Sequence, residues 1–388
     1  MEAYKRKFLP HPLPPMGWNS YCTVNCEPTQ ELILQTADAM VELGLREAGY
    51  LYVNIDDGWL MPERDADGKL VESRVKFPDG MRYVTDYIHA RGLKAGTYLG
   101  CGFKTWNGDA GTLGHEFEDA RQVAEWGFDY IKYDRHPMSD DPPRDTIAEY
   151  IKMGVAIRDC GRDILYNMCE HGTTKPWNWA AGVGQTWRTG QDVRDEWEAP
   201  GGAHSITEIA DYLADGIVQH TRAGNFNDPD MLVCGMHCQN DWMGPGCTDT
   251  EYRTQFALWC LMAAPLMIGA DIRHLNDANL QILKHQGMIA IDQDPLCAPV
   301  CRAVHIPGEY DVWVRPLSGI RWAVGLFNRS TEVKTIGFAY ETLGITNAMR
   351  AKITDVWSGD EMGIHMGSYE TPVQPHETKV LTVQPVFN

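Results

Sequence analysis

As far as about residue 290, short apolar runs alternate with segments of helical period. Met16–Tyr21, Tyr50–Asp56, Leu93–Leu99, Tyr130–Asp134, Ile164–Cys169, Thr186–Thr189, Asn225–Leu232 and Pro265–Gly269 read as strands. Helices are predicted from Thr29 to Gly49 and over Met81–Arg91, His115–Trp126, Thr146–Cys160, Ile206–His220, Thr250–Met262 and Asn276–His285, with Thr248 and Asp249 capping the sixth. Eight such repeats predict an α/β fold, a (β/α)8 TIM barrel. A doubly wound open sheet is the alternative, but no Gly-rich phosphate loop follows the first strand. From about Val304 the period changes to two. Tyr310–Arg315, Ile320–Asn328, Thr335–Phe338, Ala351–Asp355 and Thr378–Pro385 alternate apolar and polar positions, with turns at Leu317-Ser-Gly319 and Ser358-Gly-Asp360. The expectation is a catalytic barrel over residues 1–303 and a small antiparallel β-sandwich over 304–388, without a further helix.

Composition narrows the partners. The net charge of −19 repels nucleic acid and anionic membrane surfaces but leaves a neutral sugar unaffected. Thirteen Trp and sixteen Tyr supply flat faces that suit sugar rings, although most will be core. No apolar run reaches the roughly 18–20 residues that span a bilayer. The N-terminal stretch has basic residues without an apolar core behind them, so no secretory signal is read there. Eleven scattered cysteines read as reduced thiols, and the cytoplasm is the expected compartment. Cys22/Cys26, Cys234/Cys238 and Cys297/Cys301 share a Cys-x3-Cys spacing, with His237 close to the second pair. Burial as small hydrophobes outweighs a zinc site there, and no metal or cofactor is predicted.

The chemistry gathers at strand ends. In Tyr130-Ile-Lys-Tyr-Asp134 the first, third and fifth side chains share one face, and a buried Lys132 would hold a terminal Asp134 ionised. Taken alone, Asp134 could equally cap a turn. The other ends add Trp18 and Asn19, Asp56 and Asp57, Tyr98, Cys169 and Glu170, Arg188 and Asp192, and then Asn227, Asp228, Asp230 and Met231. So many acids repel one another unless Lys132 and Arg188 neutralise them and sugar hydroxyls share the acceptors.

With these residues in order, the chain resembles glycoside hydrolase family 27, the α-galactosidases. The likeness rests on Met16-Gly-Trp-Asn-Ser-Tyr21, Ile55-Asp-Asp-Gly-Trp59, Tyr130–Asp134, Trp187-Arg-Thr-Gly-Gln-Asp192, Asn227-Asp-Pro-Asp-Met-Leu232, Trp259–Pro265 and Ala290-Ile-Asp-Gln-Asp-Pro295. The resemblance implies a retaining hydrolase that releases terminal α-galactose, with Asp134 as nucleophile and Asp192 as general acid and base. It further implies that Asp56 and Asp57 accept from O4 and O6, that Trp18 stacks under the ring, and that Tyr98 and Lys132 contact substrate and nucleophile. Arg188 would reach O2 or O3, and Cys169, Glu170, His171 and Met231 would line the sugar pocket. The acid must hold a proton at working pH while the nucleophile stays ionised, so their pKa values must diverge.

Three positions depart from the family pattern. Gly58 and His136 stand where members commonly carry disulfide cysteines, and His171 stands where Cys-Glu-Trp is usual, bordering the sugar's 2-position. Glu170 favours a plain 2-hydroxyl. An α-N-acetylgalactosaminidase or a β-L-arabinopyranosidase is the runner-up within the family. A catalytically inactive sugar-binding protein would lack Asp134 or Asp192, and a metal-dependent enolase-type site is disfavoured by the crowding of Lys132 and Arg188. The sequence leaves a homo-oligomer open.

Overall fold

A computed structural model describes residues 11–135, 144–199 and 202–387. The N-terminal part folds as eight parallel strands: β1 Met16–Asn19, β2 Tyr52–Ile55, β3 Lys94–Gly100, β4 Tyr130–Asp134, β5 Leu165–Cys169, β6 Thr186–Arg188, β7 Phe226–Asp228 and β8 Leu266–Ile268. They lie in the order β7-β6-β5-β4-β3-β2-β1-β8. Just past β7, Leu232 closes the circle against β8, donating to Met267 O at 2.7 Å and accepting from Gly269 N at 2.9 Å. This is the barrel that the alternation predicts.

Several elements are shorter than the pattern suggests. Instead of one helix from Thr29 to Gly49 there are two, Gln30–Glu42 and Leu45–Ala48, because Gly44 sits in left-handed backbone (φ +70°) between them. The helix predicted to reach His220 ends at Ala214, before Asp215-Gly216. The last predicted helix is Asp277–Leu283, and an unpredicted one, Gln286–Asp292, starts where the His285 ring accepts from Met288 N. A ring nitrogen is an uncommon cap, which is why this start is hard to read from sequence.

The C-terminal part is antiparallel: β9 Cys301–Ile306, β10 Tyr310–Leu317, β11 Arg321–Asn328, β12 Lys334–Ala339, β13 Arg350–Asp355, β14 Glu361–Met366, β15 Ser368–Val373 and β16 Thr378–Pro385. One sheet runs β14-β13-β16-β11-β10-β9, and β12 with β15 makes the second layer. The pattern missed β9 and β14 because they are the exposed edges of the larger sheet and lack a full apolar face. It missed β15 because Pro372 interrupts it. A single 3-10 turn, Tyr340–Leu343, replaces the absence of helix expected there.

The larger sheet serves two cores. Trp313, Ala323, Phe327 and Val380 join the barrel's core, while Val312, Val314, Val324, Leu326 and Leu381 pack with Ile336, Phe338 and Val373 of the second layer. Period-two alternation alone sorts these side chains. The helix Asp249–Met262 lies between barrel and sheet, opened by the predicted Thr248 cap in a reciprocal box with Glu251. From β10 the fully buried Arg315 donates to Cys260 O at 2.9 Å, Ile291 O at 2.8 Å and Ala298 O at 3.0 Å. Two of those carbonyls lie at or near helix C-termini, where a cation is favoured. Arg315→Ala, leaving these acceptors and a void buried, should cost about 3 kcal/mol. Arg315→Met, which keeps the stem, should cost clearly less. Urea midpoints measure both, and a loss below about 1 kcal/mol for the alanine would mean that the contacts contribute little.

Candidate active site

The C-terminal ends of the strands bring the polar set together. β3, β4 and β5 run in register, with Tyr98 beside Lys132, Gly100 beside Asp134, and Asp134 beside Cys169. Lys132 Nζ is 2.9 Å from Asp56 Oδ2, which also accepts from Asn19 Nδ2 at 2.7 Å. Its ammonium stands 5.4 Å from the centre of the Tyr21 ring and 5.5 Å from that of Tyr98. Burial opposes the Lys132 charge, but Asp56, then the other anions, hold the amine well above its usual range.

Arg188, at the end of β6, is the second buried cation. Its Nη2 donates to Asp192 Oδ1 at 2.9 Å, and its Nη1 lies 3.2 Å from Asp230 Oδ1 and 3.7 Å from Cys169 Sγ. Burial would raise the Asp192 carboxyl, yet Arg188, helped by His171, takes it well below the usual carboxylate range. Both neighbours thus favour the carboxylate form of Asp192. Burial raises Asp230. Asp57 accepts from Gly58 N at 2.8 Å and Asn107 N at 2.7 Å, and burial pushes its carboxyl up to about 7.

Asp134 Oδ1 and the Tyr98 hydroxyl are buried without a hydrogen-bond partner among the described residues. Such groups are costly unless a ligand completes them. Trp18 is fully buried, its Nε1 donating to Ala270 O at 2.9 Å. Met231, touched by Cys22 Sγ at 3.5 Å, lines a cleft with Lys132, Arg188, Asp192 and Trp242. Glu170 stands apart: its Oε2 is spent on Thr173 Oγ1 at 2.5 Å and Thr174 N at 2.8 Å, leaving Oε1 buried and unpartnered. His171 lies beside both Cys169 and Asp192.

Asp230, Tyr21 and Trp242 belong to this cleft as well. Asp230 was visible only as one of several seventh-strand acids, and Tyr21 only as the end of a motif. Trp242 lies in the long connection after β7, where no periodicity marks it, and packs edge-on against Tyr21 at 5.5 Å.

The departures from family pattern have local causes. Gly58 has φ +93°, and a Cβ there would fall 2.0 Å from Cys26 O. In place of a bridge, Lys76 Nζ donates to Cys26 O and Gly58 O, both at 2.8 Å. All eleven cysteines are unpaired. His136 lies outside the described residues. A carboxylate oxygen of Asp134, Cys169 Sγ and a His171 ring nitrogen lie within 4.8 Å of one another, as a metal's donors would. Burial keeps Cys169 a thiol, and Arg188 lies against it, so this trio suits a cation poorly. No metal-competent cluster among the described residues includes a Cys-x3-Cys pair, and none of their helices is long and apolar enough to cross a membrane.

Two family models match, described as alpha galactosidase A over residues 13–294 and as the alpha galactosidase C-terminal beta sandwich domain over 307–383. Alpha-galactosidase 2 of Arabidopsis thaliana is 37% identical over 95% of this chain and 89% of its own. The alpha-N-acetylgalactosaminidase of Gallus gallus is 34% identical over 89% of this chain and 86% of its own. The solved alpha-galactosidase I of Mortierella vinacea superimposes with a TM-score of 0.90 at 28% identity, covering 96% of this chain and 97% of that one. The barrel, the sandwich and the acids on the barrel's rim thus have one origin: the chain is a glycosidase that belongs to the α-galactosidase family, glycoside hydrolase family 27.

Proposed function

We propose that the protein is a retaining α-galactosidase acting by double displacement. Asp134 attacks the anomeric carbon to form a glycosyl ester, and Asp192 protonates the leaving oxygen and then activates water. What carries this reading is the buried Asp134 Oδ1, without a described partner, while the neighbouring cations are committed elsewhere: Lys132 to Asp56, and Arg188 to Asp192 and Asp230. An acceptor left open at the mouth of a barrel suits attack on a bound sugar. Asp56 and Asp57 accept from O4 and O6, Trp18 lies under the ring, and Tyr98 and Lys132 touch substrate. Arg188 reaches O2 or O3, with Cys169, Glu170, His171 and Met231 around the 2-position side of the pocket. Eleven unpaired thiols suit a reducing compartment such as the cytoplasm.

Replacing Asp134 by Asn should lower kcat by several orders of magnitude while substrate binding survives, since only the covalent step is lost. Near-normal turnover would reject it as nucleophile. Across nitrophenyl glycosides, kcat/KM should be highest for α-galactoside. The unpartnered Glu170 Oε1 is a buried acceptor that a 2-hydroxyl can satisfy and an N-acetyl group crowds. A higher value for the N-acetylgalactosaminide, or for the β-L-arabinopyranoside, would move the protein to that activity. Asp192→Ala should penalise alkyl galactosides far more than nitrophenyl ones, because only a poor leaving group needs a proton. Equal losses would reject Asp192 as the acid.

A further inference from the structure

The residue that departs from the family pattern beside the acid is placed to serve it. His171 follows β5 in left-handed backbone (φ +55°), and Gly172 continues the turn at φ +72°. A non-glycine residue there costs of order 1 kcal/mol, so the turn holds strain at the site. It brings the imidazole back over the end of β5, with Nε2 3.4 Å from Asp192 Oδ1 and 3.7 Å from Cys169 Sγ. A ring nitrogen also lies within 4.8 Å of the Asp134 carboxylate.

The charged and titratable groups around His171 and Asp192 come from four strand ends. Asp134 and Lys132 stand on β4, and Cys169 on β5 with Glu170 next in the chain. Arg188 and Asp192 belong to β6 and its loop, and Asp230 follows β7. Arg188 binds the same Asp192 oxygen that His171 approaches. An Asp gripped by a buried guanidinium is a poor proton carrier, since it gives up its proton far below neutral pH.

We infer that His171 is a positioning residue that stores the proton which Asp192 delivers, the two side chains holding one proton between them. The inference rests on Asp192 being the acid and base. Burial works against an imidazolium at this place, but Asp192, then Asp134, raise His171 above its ordinary value of 6.5. On this inference the ring carries the shared proton in the free enzyme. During glycosylation it passes from the imidazole to the Asp192 carboxylate. Asp192 gives it to the glycosidic oxygen as the bond from that oxygen to C1 breaks and an Asp134 oxygen bonds to C1. The aglycone leaves as an alcohol and the ring is left neutral. In the second step a water oxygen bonds to C1, the ester bond returns its electron pair to Asp134, and the water's proton travels through Asp192 to the ring. Besides the galactoside, only water is consumed.

The sign of the pH effect follows. With His171 the pair keeps its proton until the pH rises through the raised imidazole value, so the alkaline limb of kcat/KM lies above 6.5. Without it the proton must sit on Asp192 beside Arg188, and the limb moves to lower pH. His171→Gln should shift the limb acidward by about one pH unit or more, and at pH 7 kcat/KM for a methyl α-galactoside should fall more than for the nitrophenyl one. Asp192→Asn is measured alongside and should lose the limb altogether. A limb unmoved in His171→Gln but lost in Asp192→Asn overturns the proton store and keeps the acid assignment. A wild-type limb in Asp192→Asn overturns the assignment itself, and the proton store with it. Urea midpoints identify variants that fold, and His171→Asn stands in if the glutamine variant does not.

Discussion

The ion pair between Lys132 and Asp56 is the constraint on which the site depends. A carboxylate-lined barrel mouth is unstable by itself, because each buried anion is desolvated and repelled by the next. Lys132 enters from β4, at the centre of the rim, and Asp56 from β2 meets it at 2.9 Å. Asn19 from β1 takes the same oxygen, so one carboxylate ties three strands together. Arg188 repeats the arrangement between the sixth and seventh strands with Asp192 and Asp230. Asp134 sits between these two clusters, and its Oδ1 finds no partner in either.

Much of this was legible because a strand's period carries spatial information. Tyr130, Lys132 and Asp134 could be placed on one face from spacing alone, and β4 has the bounds that the pattern suggests. The acids at other strand ends were legible once a barrel was assumed, since parallel closure brings every C-terminal end to one rim. What escaped had no local signature. Trp242 reaches the cleft from a long connection, and its place depends on packing against Tyr21. Glu170 could be read as a long acid near the 2-position, but not as one bonded by Thr173 and Thr174 of its own loop. The lowered carboxyl of Asp192 is a property of its distance to Arg188, which no sequence spacing reports.

The same reasoning separates the halves of the C-terminal sheet. β10, β11 and β16 were legible because both of their faces are buried in alternation, one on the barrel and one on the second layer. The edge strands β9 and β14 have no such duty and carry a weaker pattern. Strand recognition here therefore tracks burial more than hydrogen bonding, since edge and centre share the same ladder.

The Lys76 clamp has a consequence for how the pocket is assembled. It fastens the segment carrying Cys26 to the chain just after Asp57 through two carbonyls. A sulfur–sulfur bond in that place would have to be made by an oxidant and corrected by exchange when mispaired. An ammonium on a flexible stem needs neither: it can let go and re-form its contacts on the timescale of side-chain motion. The wall behind Asp57 is thus self-mending, and its integrity is indifferent to the thiol–disulfide balance around it.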